Sequence, residues 1–296
     1  MKTVHEFGDV RSLAVGRVGL VPTLGFLHEG HLSLIEAARE NVDTVVVSIF
    51  VNPLQFNEPS DFVSYPRDRE RDAALAEAAG ADVLFVPDDS TMYPSEPVTR
   101  IEVGGVADGM EGAKRPGHFA GVATVVGKLF AGTQPDLAYV GRKDAQQLAV
   151  VRTMVRDLSF PVDIVGRPIV RESEGLALSS RNVRLDPSSR PHALALSGAL
   201  FQVADAFEAG ERSVVDLTAS IEERLRGENR VVFEYAEIAN APDAAVTNHI
   251  GTEVFLAAAI RVGNVRLIDN VYLDPVSGVA DRGIRLSAPS ILYEGV

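Results

Sequence analysis

The sequence predicts an α/β protein: a Rossmann-like parallel sheet with helices on both faces over residues 1–170, then a smaller C-terminal α+β domain over residues 171–296. Three patterns predict it. Up to residue 170, five strand-like runs alternate with helical segments. Some of those runs, such as TVVVSIFV at 44–51, are apolar at nearly every position, the mark of a strand covered on both faces. Beyond residue 170 ± 10 the alternation stops, and two helical patterns are followed by three strand-like runs.

In chain order, RVGLVPT (17–23) reads as the first strand and ends in a Gly-containing turn, after which His28 opens a helix through LSLIEAAREN. TVVVSIFV is the second strand, stopped by Pro53. RDRERDAALAEAAG (67–80) is a helix with a Gly stop, and ADVLFVP (81–87) is the third strand. Residues 88–117 read as irregular. FAGVATVVGKLFAG (119–132) is a helix whose Lys128 faces either solvent or a site; DLAYVG (136–141) is a strand, KDAQQLAVVRTMVRDL (143–158) a helix, and PVDIVGRPIV (161–170) a strand. Helices follow near 188–209 and 213–227, then the strands VVFEYAEIAN, TEVFLAAAIRVG and VRLIDNVYLD. The tail from about Pro275, with its Gly, Pro and Ser, is expected to be poorly ordered.

Composition narrows the function. The 28 Lys and Arg against 41 Asp and Glu leave a net charge of −13, a field that repels nucleic acid and anionic membrane surfaces. An anionic substrate therefore needs basic groups gathered locally. With no Cys, disulfides, thiolate metal sites and Cys nucleophiles are excluded, which suits a reducing cytoplasm. Neither a secretory signal nor a membrane span is expected: the first residues lack a long apolar run, and runs such as VFLAAAI are far too short to span a bilayer.

Five segments carry chemistry, each at a strand end or at the domain junction. His28-Glu29-Gly30-His31 opens a helix after the first strand, where free backbone N–H groups and the positive helix end favour an anion. Two imidazoles there can donate to phosphate oxygens, or else simply cap and pack the helix. Asn52 and Gln55, around Pro53, project neutral amides at the same edge, suited to hydroxyl and carboxylate groups. Arg115-Pro116-Gly117-His118 sets a cation and an imidazole before a helix. Gly141-Arg142-Lys143-Asp144 offers Lys143 as a point charge for phosphate and Asp144 as a cap, with Gln147 one turn on. Leu178-Ser179-Ser180-Arg181 joins two hydroxyls to a guanidinium, the makings of a phosphate clamp. A Walker-type loop, a G-x-S-x-G elbow and a dinucleotide fingerprint are all missing, so the set favours nucleotidyl transfer over kinase, esterase or dehydrogenase chemistry.

Taken together, PTLGFLHEGHLSL, FVNPLQF, YPRD, RPGHFAGVATVV, GRKDAQQL, EGLALSSRN and RLIDN closely resemble the pantothenate synthetases (pantoate–β-alanine ligases), in order and over most of the chain. The resemblance implies an ATP-dependent reaction through pantoyl adenylate, releasing AMP and pyrophosphate, with Mg2+ accompanying ATP. It implies ATP on Leu24, Gly25, Phe26, Leu27, His28, Glu29, Gly30 and His31, on Gly141 to Asp144, on Val170 through its backbone, and on Leu178 to Arg181. It implies His31, His28, Lys143 and Arg181 as catalytic groups and no protein metal ligand. Pantoate would meet Gln55 and Gln147, β-alanine would also meet Gln55, and Asn52, Arg115 and His118 would line the site. A cytoplasmic homodimer is expected, with no nucleic-acid or membrane partner. The chain departs from the usual family pattern at Leu24 and Leu178, where Met is common, and at Arg142, where an acid is common; Arg142 either turns to solvent or adds to ATP binding. Two other readings compete: an adenylyl transferase of the same fold with another acceptor, and a non-catalytic nucleotide-binding protein.

Overall fold

A computed structural model describes residues 1–293 of the chain. Its first half is a sheet of six parallel strands: β1 (Lys2–Val4), β2 (Val18–Thr23), β3 (Thr44–Ile49), β4 (Val83–Phe85), β5 (Leu137–Gly141) and β6 (Asp163–Arg167), in the order β1-β4-β3-β2-β5-β6. The chain winds from β2 outward through β3 to β4, then returns to lay β5 and β6 on the other side of β2. The order reverses between β2 and β5, and a crevice opens at such a switch point beyond the carboxyl ends of the strands. Burial on both faces explains the apolar reading of β3, every residue of which is buried.

The structure adds to the expected elements and corrects some. β1, three residues on the sheet edge, is too short to show a period, and so is missing from the sequence reading. The stretch 88–117 contains two short helices, Asp89–Met92 and Met110–Lys114. The run 161–170 is not one strand: β6 ends before Pro168, which has no N–H to give a ladder. The chain resumes as β7 (Val170–Arg171).

Helices Arg190–Glu208 and Val214–Arg226 follow β7, and then β8 (Val231–Asn240), β9 (Val254–Val262), β10 (Val265–Asp274) and β11 (Val279–Asp281) form an antiparallel sheet in the order β11-β10-β9-β8. β9 alternates between two cores. Leu256, Ala258 and Ile260 pack with the two helices. Phe255, Ala257 and Ala259 join a core shared with the parallel half. This double burial is why VFLAAAI carries no polar side chain.

The expectation of a poorly ordered tail is corrected over residues 275–293; residues 294–296 lie outside the described range. β11 continues the antiparallel sheet, and β12 (Ile284–Arg285) pairs in parallel with β7. Beyond it, Glu29 accepts from the Ser290 hydroxyl at 2.6 Å and the Ile291 N–H at 2.8 Å, and Arg71 donates to the Ile291 carbonyl at 2.8 Å. Composition suggested mobility, but charged partners far away in sequence hold the segment. Among the described residues no helix is long and apolar enough to cross a membrane.

Candidate active site

The crevice at the switch point holds a cleft of about 220 Å³. Leu24, His28, Gly30 and His31 line it from the β2 side, Gly141, Lys143, Asp144 and Gln147 from the β5 side. Gln55, Arg115 and His118 close one flank, and Val170 with Leu178 to Arg181 close another. All five sequence segments therefore meet in one place.

The turn after β2 is built under strain. Gly25 sits at φ +85°, a conformation only glycine adopts freely, and Phe26 follows at φ +51°. The carboxylate of Asp72, from helix Arg69–Ala78, compensates by accepting from the Phe26 N–H at 2.7 Å and the Leu27 N–H at 2.6 Å. Arg71 donates to the Leu27 carbonyl at 2.8 Å and lies over the Phe26 ring, while Ser180 Oγ donates to the Phe26 carbonyl at 3.1 Å.

This turn delivers the two histidines to the start of helix Glu29–Arg39. His28 Nδ1 accepts from the Gly30 N–H at 3.2 Å, and His31 Nδ1 accepts from the His28 N–H at 3.4 Å. A nitrogen that accepts carries no proton, so each neutral ring keeps its proton on Nε2, as a donor. Burial, then the neighbouring ring, Lys143 and Arg71, push His28 well below the ordinary imidazole value. Burial, with Lys143 adding to it and Asp144 opposing it, lowers His31 to about 4. Gly30 is required because a Cβ there would meet the His28 ring at 2.9 Å.

His118 has the opposite tautomer. Its Nδ1 donates to the Gln55 carbonyl at 2.8 Å, and its Nε2 accepts from Arg115 at 3.0 Å. Burial and the Arg115 charge lower it to about 4. Arg115 also donates to the Gln55 carbonyl, at 3.1 Å, and the Gln55 Oε1 accepts from Asn52 at 3.2 Å. Asn52 is fully buried and also donates to the Gly121 carbonyl. With its Oε1 occupied, Gln55 offers its amide hydrogens to the cleft.

Arg115, Lys143 and Arg181 make the cleft locally cationic against the acidic whole. Arg181 pairs with Asp61 at 2.9 Å and stacks on Tyr65. Desolvation raises the Asp144 carboxyl, but Lys143, Arg181, His118 and Arg115 together bring it below the usual carboxylate range.

Six of the expected site residues do not line the cleft. Gly25, Phe26 and Leu27 form the turn beneath it, Glu29 holds the C-terminal segment, and Asn52 supports Gln55. Arg142 points the other way: it lies over the Tyr272 ring at 4.6 Å, with Glu253 at 3.4 Å and Asp281 at 3.6 Å. Lys128 faces the Tyr93 ring.

Comparison with known proteins matches this arrangement to one family. Residues 1–272 match the model of the family described as pantoate-beta-alanine ligase. The chain belongs to that family. It is 49% identical over 270 residues to the pantothenate synthetase of Desulfitobacterium hafniense, covering 91% of this chain and 94% of that one. The crystal structure of pantothenate synthetase from Thermus thermophilus superposes with a TM-score of 0.87 at 47% identity, over 91% of this chain and 98% of that one. A pantoate-beta-alanine ligase from Francisella tularensis, solved with beta-gamma ATP and beta-alanine, gives a TM-score of 0.75 at 34% identity, over 91% of this chain and 97% of that one. Family membership makes the chain a ligase that uses ATP.

Sequence reasoning missed several residues that build this cleft. Asp72 looks like one more charge on an ordinary helix, and Asp61 sits in a short polar stretch; nothing local marks either. The apolar wall of Val122, Val125, Val126 and Leu129 belongs to helix His118–Thr133, whose apolar face reads simply as core.

Proposed function

We propose that this protein condenses pantoate with β-alanine in two steps through pantoyl adenylate. In the first, a pantoate carboxylate oxygen attacks the α-phosphorus of ATP and pyrophosphate leaves. In the second, the β-alanine amine attacks the acyl carbon, AMP leaves, and the nitrogen loses a proton to form pantothenate. The carrying observation is that His28, His31, Gln55, Lys143, Gln147, Ser179 and Arg181 line a single cleft.

The chemistry of each group supports a role. No side chain need act as nucleophile, because the substrate carboxylate attacks directly. The protein's task is to hold two anions together and stabilise charge on the phosphoryl oxygens. His31, with His28 beside it, would donate through Nε2, and Lys143 and Arg181 would offset charge repulsion. ATP would lie along Leu24 to His31, with Gly25 to Leu27 shaping the turn beneath it rather than facing it, and along Gly141 to Asp144, the Val170 backbone and Leu178 to Arg181. Of these, the side chains of Glu29 and Arg142 are engaged elsewhere, so their contribution would come through the backbone. Pantoate carries a carboxylate, two hydroxyls and a dimethyl carbon; Gln55 and Gln147 suit the polar groups, and the Val122–Leu129 wall suits the methyls. β-Alanine would also approach Gln55.

Magnesium would arrive with ATP as part of the co-substrate, with Asp144 the cleft carboxylate available to face it. Residues 171–296 would act as a lid over the water-labile adenylate, with Leu178 to Arg181 as its contribution to the cleft wall. We further propose a cytoplasmic homodimer, testable by sedimentation.

The deciding experiment supplies ATP, pantoate and β-alanine, omitting each in turn. AMP and pyrophosphate should appear only with pantoate, and pantothenate only with all three. Release of ADP, or turnover that ignores pantoate, would overturn the proposal, and an acceptor panel would then identify the true acid.

A further inference from the structure

We propose that Asn270, on β10 of the antiparallel sheet, is a positioning residue for Lys143. The inference rests on the functional reading above. Asn270 closes RLIDN, a segment for which the reaction gives no use.

Asn270 is 2% exposed, and its Nδ2 donates twice, to the Arg142 carbonyl at 3.0 Å and the Lys143 carbonyl at 2.7 Å. Both amide hydrogens are thereby spent on the two peptide units that carry Lys143. Asn270 is itself held on both sides. Its N–H donates to Asp269 Oδ1 at 2.7 Å, and its carbonyl accepts from Arg171 Nη2 at 3.0 Å. Arg171 is wholly buried, and its guanidinium forks onto Asp269 at 2.6 and 2.9 Å. Arg171 directly follows the cleft-lining Val170, so one bonded chain links the two cleft walls through β10.

The turn needs such a hold. Arg142–Asp144 is a single 3₁₀ turn without a side-chain cap. Lys143 leaves it toward the cleft, while Arg142 leaves it toward Tyr272 on the same β10. β10 therefore grips the turn from outside by a stacked guanidinium and two hydrogen bonds, fixing the direction in which the ammonium is presented. The residue chemistry is specific. Aspartate at 270 keeps the shape but has no donor, and sets a charge against two carbonyl oxygens.

The test measures pyrophosphate release at saturating ATP and β-alanine over a range of pantoate concentrations for wild type, Asn270→Ala, Asn270→Asp, Lys143→Ala and the Asn270→Ala/Lys143→Ala pair, with thermal melts alongside. Misplacement of a catalytic group by about 1 Å costs on the order of 100-fold, so kcat should fall about 10- to 100-fold in both Asn270 variants. KM for pantoate should stay within about twofold, and the double variant should be no slower than Lys143→Ala within about twofold. Wild-type kcat in a folded Asn270 variant overturns the proposal, as does an equal loss with and without Lys143, which would mark a general structural role. Should both Asn270 variants unfold, Asn270→Ser, retaining one donor, takes their place under the same criteria. If wild type releases no pyrophosphate with pantoate, the functional reading has failed instead.

Discussion

Histidine chemistry at this site is decided by which ring nitrogen faces the backbone. His28 and His31 spend Nδ1 on amide donors, whereas His118 spends both nitrogens, on Gln55 and Arg115. A proton added to any of them would break an accepting contact, and for His118 it would also sit beside a guanidinium. Stability should therefore depend on pH with a known sign. His118 lies at about 4 in the folded chain and near 6.5 when unfolded. Between those values the unfolded state holds a proton that the folded state refuses, so stability falls as pH drops below 6.5 and the loss levels off near 4. For one such group, going from pH 7 to pH 5 costs about 2 kcal/mol. Urea unfolding at the two pH values should show that His118→Asn removes about this much of the acid-induced loss; an identical loss in variant and parent would mean that folding does not lower His118 at all.

One element, the turn 24–27 between β2 and helix Glu29–Arg39, concentrates strain and function. Its conformation depends on Asp72, which satisfies two buried N–H groups with one carboxylate. Asp72→Ala leaves both donors without an acceptor, and each such buried group costs about 1–3 kcal/mol. The variant should lose about 3 kcal/mol in denaturant unfolding and bind ATP more weakly, since the histidines are displaced with the turn. Calorimetric titration with a non-hydrolysable ATP analogue checks the second part; unchanged affinity would show that the helix start holds the histidines unaided. The sequence makes half of this element legible. Gly25 marks a turn and His28 a helix start because both signals are local. Asp72 is invisible, since its partners lie 45 and 46 residues away and its own helix would read the same without it.

At the scale of the whole molecule, the same division holds. The parallel sheet was readable because alternation and β-branched runs are properties of neighbouring residues, while the joining of the two halves depends on pairs distant in sequence. Glu111 is the clearest case. From the short helix Met110–Lys114 it accepts two bonds from Arg266 of β10, at 2.6 and 2.7 Å, and one from Tyr235 of β8, at 2.8 Å. Arg115, which lines the cleft, lies 3.8 Å from the same carboxylate. Desolvation pushes the Glu111 carboxyl up, but Arg266, Tyr235 and Arg115 outweigh it and hold it below the usual range. A carboxyl lowered in the fold contributes stability above its unfolded value near 4.3, and that contribution is lost as pH falls through the lower folded value. Glu111→Gln keeps the shape and removes the charge, and breaking one side of a buried ion pair costs about 3–5 kcal/mol. Arg266 retains Glu234 at 2.8 Å, so a loss near the lower end, about 3 kcal/mol, is expected at pH 7. The gap between variant and parent should then narrow on acidification below pH 4, where the parent's carboxyl takes up its proton. Unfolding curves across that range test both parts: equal stability at pH 7 would show that the other contacts between the two halves hold them together without the Glu111 charge, and a gap independent of pH would show that shape rather than charge makes the link.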